Sequence, residues 1–208
     1  MQNTTRIGII GGSFNPVHIA HLIIAERFRE EMGLGHVYFV PAFVSPFKTS
    51  ERFYKGATAE QRCQMVRLAI ATNAFFSVNE SEIQRKEVSY TIDTVNYFLE
   101  QFPNANIYLL IGADQARDFQ KWKHWQEILM KVQLCIARRP GYLSDEDERK
   151  ILSMLRVGEK LPRWLEAPLM EISATEIRRR VSEGRSIRYM VPEAVENYIL
   201  SEKLYAEL

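Results

Sequence analysis

Cysteine is scarce in this chain, and long apolar runs and an excess of one charge are missing from it. The 208 residues include only Cys63 and Cys135, each in an apolar-periodic segment, which excludes a disulfide scaffold and is typical of reduced thiols in a cytoplasmic protein. No apolar stretch approaches the ~20 residues that span a bilayer, and no signal peptide opens the chain, so we expect no membrane partner. The 27 basic and 26 acidic residues argue against nucleic acid as a partner.

Two common phosphate-loop signatures are also missing, and a different pattern stands near the N-terminus. The chain has no G-x-x-x-x-G-K-[ST], and its Gly-Gly-Ser turn lacks the G-x-G-x-x-G spacing. Instead, a run from Gly11 to His21 follows the apolar residues of Arg6–Ile10. Asn15 and Pro16 are predicted to cap and begin a helix, so that the helix starts at Pro16. The unpaired N–H groups at such a helix end favour an anion such as phosphate.

Two histidines follow this turn. His18 and His21 are three residues apart, so on the predicted helix they share a face and both imidazoles can point toward the anion. The alternative is a pair of ordinary polar helix residues, but the glycine turn, the cap, the proline and both histidines coincide within eleven residues. A zinc site is disfavoured, because His36 and His124 have no local ligand pattern.

A second candidate anion site precedes a helix near the C-terminus. Ser173 and Glu176 are predicted to form an S-x-x-E capping box, which is an ordinary helix start. Thr175 and Arg178 add a hydroxyl and a guanidinium to the same first turns. A nucleoside triphosphate needs several donors converging from different elements, so the two motifs together favour a nucleotide site.

Apolar runs and helical periodicity alternate along the chain. Strands are predicted at Arg6–Gly11, Val37–Pro41, Phe76–Val78, Ile107–Gly112, Gln133–Ala137 and near Leu169–Ile172. Helices are predicted at Val17–Met32, Ala59–Thr72, Thr91–Gln101, Trp125–Lys131, Asp145–Leu155, Ala174–Ser182 and Pro192–Leu200. The alternation predicts one α/β domain over 1–208, a Rossmann-like doubly wound parallel sheet with helices on both faces and a small C-terminal helical part at 172–208. The longest loop, Ala42 to Gly56, is predicted to be a flap beside the site.

The two motifs carry a resemblance to a known family. The run Gly-Gly-Ser-Phe-Asn-Pro-x-His-x-x-His and the run Ile-Ser-x-Thr-x-x-Arg resemble the nucleotidyltransferase superfamily, and more closely the bacterial nicotinate mononucleotide adenylyltransferases. Further segments are similar to that family, so the resemblance runs nearly end to end: Pro46–Lys48, Ser89–Thr91, Ile111–Asp114, Trp122 and Arg138–Tyr142. The chain departs from the family pattern at three positions, with Ser13 for threonine, Asn15 for the frequent aspartate and Ala20 for glycine.

The resemblance implies a reaction and a set of residues. It implies transfer of the adenylyl group of ATP to nicotinate mononucleotide, with Mg²⁺ carried by the ATP and no metal site of the protein's own. The catalytic residues are then His18, His21, Lys48 and Arg178. The residues that it implies for ATP binding are Gly11, Gly12, Ser13, Phe14, Asp114, Ser173, Thr175 and Arg178. The residues that it implies for mononucleotide binding are Ser89, Tyr90, Thr91, Trp122 and Arg138, with Trp122 stacking on the pyridine ring.

Two other functions stay open at the level of sequence. One is the same reaction with nicotinamide mononucleotide as the acceptor. The other is a nucleotide-binding sensor that keeps the fold without turnover; Ala20 favours it, whereas the intact His18, His21, Lys48 and Arg178 argue against it. Release of pyrophosphate from ATP with each mononucleotide would distinguish the three. A homo-oligomer is equally compatible with the sequence.

Overall fold

The computed structural model describes residues 5–46, 56–138, 142–158, 160–166, 168 and 170–206. Its strands are Arg6–Gly12 (β1), His36–Pro41 (β2), Phe76–Val78 (β3), Asn106–Gly112 (β4), Gln133–Ala137 (β5) and Arg163–Leu165 (β6). Its helices are Ile19–Met32 (α1), Ala59–Ile70 (α2), Ser81–Arg85 (α3), Thr91–Gln101 (α4), Ala113–Arg117 (α5), Trp125–Lys131 (α6), Asp145–Met154 (α7), Ala174–Ser182 (α8) and Glu193–Ser201 (α9). A 3₁₀ turn lies at Phe119–Lys121.

The strands form one parallel sheet in the order β3-β2-β1-β4-β5-β6. In the β1–β4 pair, Ile7 lies opposite Ile107 and Ile10 opposite Leu110. This order is that of the Rossmann fold, and it confirms the predicted fold class. The strand order reverses between β1 and β4, and ligands of such sheets bind beyond the carboxyl ends of the strands. The Gly-Gly-Ser turn follows directly from the carboxyl end of β1.

Five of the six predicted strands are confirmed, and the sixth is misplaced. The last strand was expected near Leu169–Ile172, but β6 lies at Arg163–Leu165, and residues 170–172 form no strand. Ile136 of β5 pairs with Trp164, and the fully buried Leu165 fills the core beside Ala137. Phe76–Val78 of β3 is equally short, but its two apolar residues flank a serine, whereas Arg163–Leu165 of β6 shows no such alternation. The helices α3 and α5, of five residues each, are too short to show helical periodicity.

The chain folds as two compact units. The first unit contains Met1–Gly11, Ile24–Tyr38 and Tyr90–Leu169. Its core is built around β1, where Gly8 faces Phe28, Leu34 and Val37 so closely that a methyl group would have no room. Glycine at this position therefore lets helix α1 and the following loop approach the strand closely.

The second unit contains Gly12–Ile23, Phe39–Ser89 and Met170–Leu208. Its core includes Phe39, Met65 and Tyr205, all almost fully buried, and helix α2 packs on helix α9. No helix among the described residues combines the length and the apolar character that crossing a membrane requires. The single domain over 1–208 stays a prediction.

We expect Gly8→Ala to destabilise the first unit. An added Cβ would lie 2.6 Å from Leu34 Cδ1 and 2.7 Å from Phe28 Cε1, which is overpacking. The free energy of unfolding, measured by urea denaturation, should fall by about 1–3 kcal/mol. Gly35→Ala is the control, because its Cβ would meet only the Arg6 carbonyl oxygen at 3.7 Å. Equal stability of the two variants would contradict the packing described here.

Candidate active site

The turn after β1 has a tightly determined backbone. Phe14 lies in the left-handed region with φ of 45°, which is uncommon for a bulky residue. A Cβ on Gly12 would lie 3.0 Å from the Phe14 ring, so glycine gives this ring room where it folds back over the strand end. The Asn15–Pro16 peptide bond is cis. Because the sequence predicts a nucleotide at this position, we call residues Gly12 to Pro16 the nucleotide turn.

The helix after this turn begins later than predicted. Helix α1 starts at Ile19 rather than at Pro16, and Asn15 does not cap it. The Asn15 side chain is held elsewhere, because its Oδ1 accepts a hydrogen bond of 2.7 Å from the buried hydroxyl of Tyr205. The Ile19 N–H donates to the Met190 carbonyl at 2.9 Å. The first amide of α1 is therefore paired, whereas the sequence predicted unpaired amides at a helix start at Pro16.

The predicted histidine pair is present and compact. The rings of His18 and His21 are stacked, with centroids 3.7 Å apart and planes at 26°. The His18 N–H donates to His21 Nδ1 at 3.2 Å, and this bond assigns the ring proton of neutral His21 to Nε2. The backbone thereby orients His21 as a hydrogen-bond donor through Nε2.

His18 is the more buried member of the pair. Only 6% of its surface is exposed, and its Nδ1 has no hydrogen-bond partner in the part of the chain that the structure describes. Burial lowers the pKa of His18 from 6.5 to about 4, so the ring is neutral at neutral pH. A buried nitrogen without a partner costs about 1–3 kcal/mol, which a ligand atom would relieve. This ring is therefore the clearest indication of a binding site.

Phe14 supports the pair from below. Its ring meets His21 edge-on at a centroid distance of 5.2 Å and lies 5.7 Å from Phe39. The side chain is almost fully buried. Any contact of Phe14 with a nucleotide would thus be made by its backbone, while its ring fixes the imidazole.

The second motif lies against the first. Ser173 caps helix α8 as predicted, its hydroxyl accepting from the Glu176 N–H at 3.1 Å. The reciprocal half of the predicted capping box is wrong, because Glu176 pairs with Arg179 at 2.7 Å instead. Arg178 Nη1 donates to the Asn15 carbonyl at 2.7 Å, and Nη2 donates to Thr175 Oγ1 at 3.4 Å. Burial lowers the pKa of Arg178, although a guanidinium stays charged at neutral pH.

Sequence reasoning missed one cation beside the nucleotide turn. Arg62 of helix α2 is 1% exposed, and Nη1 donates to the Ser13 carbonyl at 2.6 Å. Its Nη2 donates to the carbonyls of Ala42 and Phe43 at 2.6 and 3.2 Å. A signal was present in the sequence: Arg62 stands three and four residues before the buried Met65 and Val66, which places it on the apolar face of the helix.

Most residues expected to bind the mononucleotide lie in the first unit. The Lys123 ammonium lies 4.4 Å above the Tyr90 ring, which is a cation–π contact that sequence reasoning missed. Trp122 is half-buried and packs on Phe119 at a centroid distance of 4.8 Å. Thr91 opens helix α4 as predicted. Asp114 is exposed in the first turn of α5, which is capped by Gly112.

Arg138 is less available than the sequence suggested. Its guanidinium pairs with Glu148 at 2.8 Å and also with Glu166, and it lies 5.6 Å from the Trp164 ring centroid. A phosphate that binds Arg138 would have to replace or join these carboxylates. Its assignment to the mononucleotide stays a prediction.

Ser89 and Lys48 complete the predicted set. Ser89 is buried, with Oγ accepting from the Phe43 N–H at 3.0 Å and its own N–H donating to the Val44 carbonyl at 2.8 Å. Lys48, with most of the predicted flap, lies outside the described residues. Across the described residues, no group of three or more His, Cys, Asp or Glu side chains could hold a metal ion.

Comparison with known proteins shows the family of this chain. The profile of the family described as cytidylyltransferase-like matches residues 9–180. A protein of Pelobacter propionicus named probable nicotinate-nucleotide adenylyltransferase is 40% identical over 216 residues, which cover 97% of this chain and 99% of that protein. A protein of the same name from Dictyoglomus turgidum is 41% identical over 97% of this chain and 96% of its own length.

Solved structures share the fold. The nicotinic acid mononucleotide adenylyltransferase of Plasmodium falciparum in complex with NaAD superposes with a TM-score of 0.78 at 20% identity, covering 97% of each chain. The same protein in complex with APC gives a TM-score of 0.74 at 20% identity, again over 97% of each chain. The fold and the two motifs thus define a nucleotidyltransferase. The chain belongs to the cytidylyltransferase-like family and, within it, to the nicotinate-nucleotide adenylyltransferases.

The burial of neutral His18 predicts a pH dependence of stability. Because the pKa of His18 falls to about 4 in the fold, the unfolded chain takes up this proton first as the pH drops below 6.5, and stability is lost between pH 6.5 and 4. From pH 7 to pH 5, the free energy of unfolding should fall by about 2 kcal/mol more in the wild type than in His18→Gln. His124→Gln, at a ring that is 58% exposed, should follow the wild type. Parallel curves for all three proteins would refute the burial argument.

Proposed function

We propose that this chain transfers the adenylyl group of ATP to nicotinate mononucleotide. A phosphate oxygen of the mononucleotide forms a bond to the α-phosphorus of ATP as the bond to the β-phosphate oxygen breaks, giving nicotinate adenine dinucleotide and pyrophosphate. The acceptor phosphate is itself the nucleophile, so no covalent intermediate on the protein is needed. The observation that carries the proposal is the buried His18 ring, stacked on His21 beside the nucleotide turn, with a nitrogen that has no partner among the described residues.

The catalytic task in such a reaction is alignment and charge stabilisation. His18 and His21 would donate hydrogen bonds to phosphate oxygens of ATP. Arg178 would bring positive charge to the β- and γ-phosphates, together with the hydroxyl of Thr175. Lys48 would add charge from the loop after β2. The nucleotide would be lined by backbone groups of Gly11, Gly12, Ser13 and Phe14. Ser173 would cap the N-terminus of helix α8 where that helix meets the phosphates. Asp114 would bind the ribose.

ATP enters this reaction as its magnesium complex. Mg²⁺ neutralises part of the triphosphate charge and keeps most of its ligands as water and phosphate oxygens, so it needs few protein groups. We therefore treat MgATP as the substrate and assign no metal ligands to the chain. A cytoplasmic location fits this use of ATP and the two buried thiols of Cys63 and Cys135.

The acceptor would be held by flat and hydrogen-bonding groups. Trp122 offers a π-face to the pyridine ring, and Tyr90 and Thr91 lie at the start of helix α4. Ser89 would orient this segment through its bond to Phe43, and Arg138 would meet the mononucleotide phosphate. A carboxylate accepts from every N–H offered to it, whereas an amide presents donors of its own and leaves an N–H unpaired, at a cost of about 1–3 kcal/mol.

We expect the acid to be preferred over the amide. With saturating MgATP, kcat/KM for nicotinate mononucleotide should exceed that for nicotinamide mononucleotide by about tenfold or more, measured as pyrophosphate release. Trp122→Ala should weaken both reactions by a similar factor, because stacking does not distinguish acid from amide. Equal use of the two mononucleotides would reassign the acceptor, and absence of turnover with either would favour the nucleotide-binding sensor.

His21→Asn should separate the donor role of this ring from its structural role. The asparagine oxygen can replace Nδ1 as the acceptor for the His18 N–H, but no donor remains at the position of Nε2. We expect kcat to fall about a hundredfold, the scale for loss of one phosphate or oxyanion donor, with little change in stability. The matched control is His124→Asn, at an exposed ring. Near-normal kcat in His21→Asn would remove His21 from the catalytic set.

A further inference from the structure

Three side chains from distant parts of the chain hold the nucleotide turn. Arg62 lies on helix α2, Arg178 on helix α8, and Tyr205 in the turns after helix α9. Their hydrogen bonds reach the Ser13 carbonyl, the Asn15 carbonyl and the Asn15 Oδ1, at 2.6, 2.7 and 2.7 Å. The Arg178 contact joins two motifs already expected at the phosphates. The other two contacts come from residues that the proposed reaction does not use.

Arg62 determines how one peptide group of the turn is oriented. The Ser13–Phe14 peptide is planar and trans, so its N–H points away from the carbonyl that Arg62 holds. Arg62 thereby directs the Phe14 amide to the side opposite its own guanidinium. The other terminal nitrogen of Arg62, Nη2, donates to the Ala42 and Phe43 carbonyls. The segment after β2 is therefore held by the same side chain as the turn.

Tyr205 determines the position of the Asn15 side chain. Its ring is 1% exposed, and its hydroxyl, which donates to Asn15 Oδ1, also lies 4.0 Å from Met65 Sδ. Burial raises the pKa of Tyr205 even though Arg178 and Arg62 favour the ionised form, so the hydroxyl keeps the proton that it donates. With both its carbonyl and its side chain held, Asn15 cannot rotate without breaking the part-buried bond to Arg178 or the buried bond to Tyr205.

We propose that Arg62 and Tyr205 are positioning residues for adenylyl transfer, which hold the nucleotide turn in the form that binds the phosphates of ATP. The proposal rests on the function proposed above, since it assumes that the turn meets ATP. Neither residue touches the reacting atoms. The effect of Tyr205 should fall on ATP and on the chemical step and leave the affinity for the mononucleotide unchanged. Arg62 also holds the Phe43 carbonyl, next to the N–H that bonds Ser89, so its test is read on ATP alone.

Tyr205→Phe tests the proposal with the smallest change. It removes one hydroxyl and keeps the buried ring, so we expect the chain to fold. Loss of this hydrogen bond should lower kcat/KM for ATP by about tenfold, with KM for nicotinate mononucleotide within twofold of the wild type. Tyr189→Phe is the matched control, because that side chain is 85% exposed. Identical kinetics in the two variants, or an equal loss for both substrates, would overturn the assignment.

A double-mutant cycle shows whether Tyr205 acts through Asn15. Asn15→Ala and Tyr205→Phe remove the same hydrogen bond, so the double variant should lose little more kcat/KM for ATP than Asn15→Ala alone. Effects that multiply would mean that Tyr205 acts elsewhere. Arg62→Lys adds an independent arm, because an ammonium cannot hold carbonyls on two sides as the guanidinium fork does, and the loss for ATP should exceed that of Tyr205→Phe.

Direct binding of ATP separates this proposal from the function on which it rests. Calorimetric titration of the wild type and of Tyr205→Phe with MgATP needs no turnover. If the wild type binds ATP but forms no dinucleotide, the proposed reaction fails, while a tenfold weaker affinity in Tyr205→Phe would still support the positioning role. Equal ATP affinity and equal kcat in the two proteins would refute the positioning role alone.

Discussion

The conformation of the nucleotide turn depends on the capture of its carbonyl oxygens by two guanidinium groups. Arg62 and Arg178 take the oxygens of Ser13 and Asn15, and these contacts hold helices α2 and α8 to a turn that precedes both in the chain. Phe14 can keep its left-handed backbone because residues on either side of it are fixed. His18, the first of the two stacked histidines, lies only four residues after Phe14, so the turn determines where the pair is placed.

Much of the fold and the core of the site could be predicted, because they rest on local patterns. Short stretches of sequence predict the glycine turn, the two histidines and the cap at Ser173. The alternation of apolar runs with helical periodicity indicates the parallel sheet. Arg62 was missed because its partners lie 49 and 20 positions away, and no local pattern records them. Only its place on the apolar face of α2 distinguishes it from a solvated arginine.

The late start of helix α1 shows how a distant contact can override a local rule. Asn15 followed by Pro16 is a favourable helix start by propensity. In the folded chain, the Asn15 side-chain oxygen accepts a hydrogen bond from the Tyr205 hydroxyl, 190 positions away. The residue that directly precedes helix α1 is instead His18. The same shift places the His21 ring where its Nδ1 can accept from the His18 amide. A prediction from local propensity could not include that partner.

The bond between Asn15 and Tyr205 has a consequence for the divergence of related sequences. Asparagine and aspartate both present an oxygen at this position, so the Tyr205 hydroxyl is compatible with either residue at position 15. An aliphatic residue at 15 would instead leave the buried phenol only the weak sulfur acceptor of Met65. We therefore expect the two positions to be inherited as a correlated pair, in which replacement at one is accompanied by replacement at the other.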